Sequence, residues 1–262
     1  MLLKVSHAPE AKDIPKVQTS VVVKAREEIP LADSPSRFPV IVFSAGSQTI
    51  PSTYSALVEE LASRGFVVVG YGPTVIGRGT WKGDLGQLLD QLSVWDSTQG
   101  HRFFGRLDLE HIGAFGHSAG GNAISAIAAS ERRFKAIVLI DPGMVNPEDG
   151  PLIPTLILKS EDVVFQRRNP EVAEEKAKTR DEYVRKAKPG LQITLLGSQH
   201  LSFTDLAVMP AFALPGDGKA FIETTRAVIG GFFGRYLSGK PSELIEEGSG
   251  KYPLARIDTP HK

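Results

Sequence analysis

"HIGAFGHSAGGNAISAIAAS" fills residues 111–130, and its two halves follow different rules. The half from His111 to Gly116 is a short apolar run, as in a strand buried on both faces. The half from Ser118 to Ser130 is rich in small and apolar residues and reads as a helix. At the junction Ser118 stands between Gly116 and Gly120, with Gly121 behind them. A surface turn needs one glycine, not three. In the pattern G-x-S-x-G the serine occupies a tight, strained strand-to-helix turn that lifts its hydroxyl above the sheet edge. Side chains two residues to either side would collide with the neighbouring strand and helix, hence Gly116 and Gly120. Gly121, Ala123 and Ala126 let the helix lie close on the sheet. The helix N-terminus also directs free N–H groups and its dipole at the space before Ser118, where an oxyanion would form. The stretch predicts a nucleophile, Ser118, on a strand–helix unit.

Outward from this unit the alternation continues. "FPVIVFSAG" (38–46), "GFVVVGYG" (65–72), "FKAIVLID" (134–141), "IPTLILKS" (153–160) and "LQITLLG" (191–197) read as buried strands. Helices are expected over 51–65, 80–97 and 219–237, and a solvated, highly charged one over 170–190. Continuously apolar strands alternating with helices imply a mostly parallel sheet covered on both faces. One domain is expected over 1–262, with irregular tails at 1–16 and 240–262.

Composition narrows the classes. A chain of 262 residues can bury about three quarters of its unfolded surface, so a rigid core needs no staples. Lys+Arg and Asp+Glu both number 30, which argues against a nucleic-acid partner held by phosphate neutralisation. The absence of cysteine excludes disulfides, thiolate zinc sites and a cysteine nucleophile. No G-x-G-x-x-G, G-x-x-x-x-G-K-[ST] or H-E-x-x-H is present, and no cofactor or metal is expected. No apolar run reaches membrane-span length, and "MLLKVSHAPEAKDIPK" lacks a signal peptide's apolar stretch. The expectation is a cytoplasmic protein without integral membrane contact, or an exported one had a leader been removed. Oligomeric state is not legible.

A serine hydroxyl becomes nucleophilic only when a base takes its proton, so a histidine is required. His7 and His261 lie in the termini, His101 in a loop, and His111 at the strand end opposite the turn. His117 adjoins Ser118, but neighbouring side chains diverge, so it is expected to pack beside the turn. His200, in "LLGSQHLSF", follows the last strand on the edge where open α/β sheets form their sites. Two carboxylates can orient it. Asp141 ends "AIVLID" and Asp162 follows "TLILKS", both on that edge and both in the chain order serine, acid, histidine. The residues alone leave this choice open. Oxyanion donors are expected from the N–H of Ala119, after the nucleophile, and of Ser47 in "SAGSQ".

These stretches together resemble the platelet-activating factor acetylhydrolase family of α/β-hydrolases. The similar runs are "PVIVFSAGSQTIPSTYSALVEELASRGFVVV", "LDLEHIGAFGHSAGG", "AIVLIDPGM" and "GSQHLSFTDL", within residues 39–210 and in the family's order. The H-x-S-F-x-D run at His200 is the most diagnostic. The resemblance implies an α/β-hydrolase fold, a mostly parallel sheet with helices on both faces. It also implies Ser118 as nucleophile, His200 as base and Asp141, rather than Asp162, as acid. Ala45 departs from the family's usual histidine before the oxyanion glycine, and Gly143 from a common bulky aromatic residue. Only "VQTSVVVKAREEIP" (17–30) remains for the family's initial antiparallel strands.

The expected activity is hydrolysis of carboxylic esters through an acyl-enzyme, on small-molecule or lipid esters with short acyl chains, acetyl esters of phospholipids included. An amidase or peptidase would use the same triad, and a ligand-binding protein could share the scaffold. Only "PGMVNPEDGPLIP" lies between "AIVLID" and "TLILKS", where many lipases carry a lid. "FTDLAVMPAFALPG" after His200 is apolar enough to wall an acyl pocket, or is ordinary loop packing.

Overall fold

The computed structural model describes residues 25–26, 29–47, 49–71, 81–212, 214–242 and 249–258. Seven strands form one sheet: β1 (Phe38–Ser44), β2 (Val67–Tyr71), β3 (Leu107–His117), β4 (Phe134–Ile140), β5 (Thr155–Ser160), β6 (Gly190–Leu195) and β7 (Ala255–Asp258). Their spatial order is β2-β1-β3-β4-β5-β6-β7. All neighbours are parallel except β6 and β7, which run antiparallel. The chain thus winds outward from β1 in both directions, so all six parallel strands end on one edge.

Side-chain alternation explains why the strands read as unbroken apolar runs. In β1, Val40 and Val42 point to one face and Ile41 and Phe43 to the other, and all are fully buried. Ile41 and Phe43 meet α1 (Ser55–Ser63) and α6 (Gly218–Ser238) through Leu57, Leu61, Ile229 and Phe233. Val40 and Val42 share the opposite layer with Leu89 and Leu92 of α2 (Trp81–Ser97) and Ile124 of α3 (Ala119–Ile127). Each such side chain contributes about 1.5–3 kcal/mol relative to exposure. A mostly parallel sheet with helices on both faces, as expected from sequence, follows from this two-sided burial.

Three elements differ from expectation. β3 starts at Leu107, ahead of the apolar run, because its first residues pair with Phe38 and Pro39 before a register shift. A short helix, α4 (Val163–Arg168), precedes α5 (Pro170–Lys186), with Asp162 as its cap. The 240–262 segment is not wholly irregular, since β7 pairs Ile257 with Ile193 and Ala255 with Leu195. A four-residue edge strand with one buried residue, Ala255, carries too little apolar pattern to stand out in sequence. Residues 1–16, most of 17–30, His7 and His261 lie outside the described residues. Among the described residues no helix is long and apolar enough to cross a membrane.

Candidate active site

β3 delivers Ser118 to the edge where the parallel strands end. Its φ of 54° and ψ of −119° are strained for a residue with a side chain. The turn is held by the Ser118 N–H on the Ile140 carbonyl at 2.9 Å and the Asn122 N–H on the Ser118 carbonyl at 3.0 Å. A Cβ on Gly120 would strike the Ser44 and Ala45 carbonyl oxygens, and one on Gly116 the Gly120 backbone. Both glycines are therefore obligatory at this approach of helix to sheet. Ala119 opens α3, and Ser47 sits exposed in the turn after β1.

Asp141 follows β4 with φ 38° and is 3% exposed. Its Oδ2 accepts from His200 Nδ1 at 2.6 Å and from the Ser160 hydroxyl at 2.9 Å, and its Oδ1 from the Ser160 N–H at 3.3 Å. Arg180 of α5 places Nη2 3.3 Å from Oδ1 and also donates to the Pro142 carbonyl. Burial alone would raise the Asp141 carboxyl, but the His200 hydrogen bond and the Arg180 charge hold it well below the usual carboxylate range. Asp162 goes elsewhere: in a left-handed conformation its carboxylate accepts the Phe165 N–H at 3.1 Å and caps α4. Of the two acids considered, the structure brings Asp141 to His200.

His200 follows β6 in a short turn fastened by the Gln199 N–H on Ser202 Oγ at 2.9 Å, and its side chain is 41% exposed. His117 is buried beside the turn, its Nε2 2.9 Å from the His200 carbonyl oxygen. His101 stacks on Trp95, and His111 bonds Asp108 at 2.8 Å, both away from this cluster. On the other side Gly143 donates to Asn122 Oδ1 at 2.8 Å, linking the acid's loop to α3.

Sequence reasoning missed Arg180 and Asp205. Asp205 is the last residue of the H-x-S-F-x-D run, and its carboxylate accepts the Ala56 N–H at 3.2 Å, at the start of α1. It is a helix cap supplied from 149 residues away, which fastens the segment after His200 to α1. Burial raises its pKa to about 6, outweighing the amides of Ala56 and Ser55. An acid raised above its unfolded value favours folding below that unfolded value, and this contribution is lost as pH rises through about 6. The stability difference between wild type and Asp205→Asn is expected to move by up to about 3 kcal/mol in the variant's favour from pH 4 to pH 7. Urea denaturation across that range checks it, and a difference independent of pH would refute it. Comparison with the variant is needed because buried His117, pushed down to about 3 by its burial, contributes pH dependence of the opposite sign.

Among the described residues no group of three or more His, Asp or Glu side chains is placed to hold a metal ion. What the arrangement offers is nucleophilic chemistry: a strained serine at a helix N-terminus, and an imidazole oriented by a buried carboxylate. Fold and site together define an α/β-hydrolase of the serine esterase type. Residues 29–181, more than half of the chain, match the PET hydrolase-like family. The chain belongs to the PET hydrolase-like family and is a carboxylic-ester hydrolase. The match is to this family, whereas the resemblance in sequence was to the acetylhydrolases, and the two agree at the level of α/β-hydrolase esterases. Among solved structures, a ferulic acid esterase from Streptomyces cinnamoneus is similar in fold, with a TM-score of 0.65 and 23% identity over 86% of this chain and 75% of that one. No curated protein sequence matches the chain.

Proposed function

We propose that the chain cleaves short-chain carboxylic esters, with Ser118 as nucleophile, His200 as base, Asp141 as orienting acid, and the N–H groups of Ala119 and Ser47 as oxyanion donors. The 2.6 Å bond between His200 Nδ1 and Asp141 Oδ2, on the edge that carries Ser118, is the observation that supports this most directly. With Nδ1–H donating to the carboxylate, Nε2 is the free acceptor for the Ser118 proton. The serine oxygen adds to the ester carbonyl, and the developing oxyanion is met by the two N–H groups. His200 then passes the proton to the departing alkoxide, leaving acyl-Ser118. Water, deprotonated by His200, attacks this ester, and His200 returns the proton to the departing Ser118 oxygen as the acid is released.

Residues 141–154 connect β4 to β5 with a single 3₁₀ turn at Pro147–Asp149, too little chain for a lipase-type lid. Acetyl to butyryl esters, acetylated phospholipids among them, are the substrates this favours. A p-nitrophenyl ester series is expected to show kcat/KM falling steeply beyond about eight carbons, since each methylene left unburied forfeits up to about 0.8 kcal/mol. An anilide control should react far more slowly. Equal rates on palmitoyl and butyryl esters would overturn the short-chain reading. A dominant anilidase activity would move the chain to the amidases.

One observation favours a second reading. Ile50, Met144 and Phe212 are exposed at 50%, 55% and 43% on segments that follow β1, β4 and His200. Exposed apolar side chains on these segments suit an aromatic polyester, in keeping with the family. Release of terephthalate from an amorphous polyester film, at a rate per enzyme exceeding that on soluble butyrate, would select it.

A further inference from the structure

His117, the last residue of β3, is 1% exposed, and both its ring nitrogens are engaged. Nε2 lies 2.9 Å from the His200 carbonyl oxygen. A carbonyl only accepts, so Nε2 carries the proton, and Nδ1 then accepts from the Tyr54 hydroxyl at 2.7 Å. The Tyr54 oxygen in turn accepts the Gly46 N–H at 3.3 Å. Thr49 closes the same turn, its hydroxyl donating to the Gly46 carbonyl at 2.8 Å. One unbroken chain of hydrogen bonds thus runs from the turn after β1, through Tyr54 and His117, to the main chain of His200.

We propose that Tyr54 and His117 are positioning residues for ester hydrolysis, holding the Gly46–Ser47 turn and the His200 backbone in fixed relation to Ser118. The proposal rests on the roles given above to Ser118, His200 and Ser47. A histidine suits the position because a neutral imidazole offers one donor and one acceptor at opposite corners of a rigid ring. Burial, aided by the nearby His200, pushes its pKa down to about 3, so this form persists across the working range of a serine hydrolase. Burial likewise raises the Tyr54 hydroxyl, which stays protonated as the donor. The ring contacts of Tyr54 with Phe43, at 4.8 Å between centroids, would serve equally well with phenylalanine in its place. The hydroxyl is the part that packing alone does not call for.

Tyr54→Phe, His117→Gln and the double variant test this, with rates expressed per site labelled by a fluorophosphonate. Each single change is expected to lower kcat by about 10- to 100-fold with KM changed less than about threefold, the scale of a misplacement near 1 Å. The double variant should be no more than about threefold worse than the worse single, because both changes break one chain. A kcat per labelled site within about twofold of wild type for Tyr54→Phe, or losses that multiply in the double, would overturn the proposal. Should the variants not fold, ¹⁵N-histidine NMR of the wild type decides. His117 is expected to remain the neutral Nε2–H tautomer from pH 5 to pH 8, and titration within that range would refute the proposal. Absence of label at Ser118 in the wild type would instead refute the underlying esterase assignment, which keeps the two failures distinct.

Discussion

Ser118→Ala is expected to lower kcat on p-nitrophenyl butyrate by about 10⁵- to 10⁶-fold, leaving only what oxyanion donors and binding contribute. The size follows from the role: without the oxygen there is no acyl-enzyme, and water must attack in a site built around a serine. The substitution removes one hydroxyl from a partly exposed residue, so the fold should not suffer. Alanine must still adopt the φ of 54° that Ser118 adopts, and the strain is already present in the wild type. A fluorophosphonate should add a single label to wild-type protein, on the peptide carrying "GHSAGG", and none to the variant. Label on another serine, or a loss below about tenfold, would remove Ser118 from the mechanism.

Much of this architecture is legible in sequence because burial and backbone constraint leave strong patterns. Strands buried on both faces read as unbroken apolar runs, so β1, β4, β5 and β6 stand where the runs do. The turn at Ser118 is legible because two of its three glycines, Gly116 and Gly120, are demanded by close backbone contacts, and Gly121 sits in a tight one. What escaped is what depends on distant pairing. β7 exists only because β6 offers an edge, and its own four residues say little. Arg180 is hidden among the charges of α5, where side chains of the same type face solvent and only its place one turn before buried Tyr183 and Val184 marks it as turned inward. Tyr54 looks like an ordinary helix-start residue until His117 is placed against it. Asp205 belongs to a run that sequence marks as diagnostic without dividing its parts: within it His200 meets Asp141, Ser202 fastens the turn, and Asp205 caps a helix.

The choice between the two acids is where sequence left most open, and it yields the second large effect. Asp141→Asn is expected to lower kcat by about 10⁴-fold with little change in substrate binding, whereas Asp162→Asn should cost less than about tenfold. The amide at 141 can present N–H where the imidazole also needs to donate, which turns His200 toward the wrong tautomer and leaves the imidazolium of the transition state without its counter-charge. Asparagine at 162 can still accept the Phe165 N–H and cap α4, so its effect should be nearly silent. Arg180 complicates the first variant in a useful way. Its guanidinium is buried against Asp141, and its Nε has no partner among the described residues, so removing the carboxylate strands a buried cation. Breaking such a pair costs about 3–5 kcal/mol of stability. Asp141→Asn should therefore lose both activity and thermal stability, while the double change Asp141→Asn with Arg180→Met should regain stability and stay inactive. Folded fractions from circular dichroism and kcat from the butyrate assay separate the two losses. If the double variant recovered activity along with stability, Asp141 would be a structural counter-ion rather than the acid that orients His200. If Asp162→Asn were the more damaging of the single changes, the role would pass to Asp162.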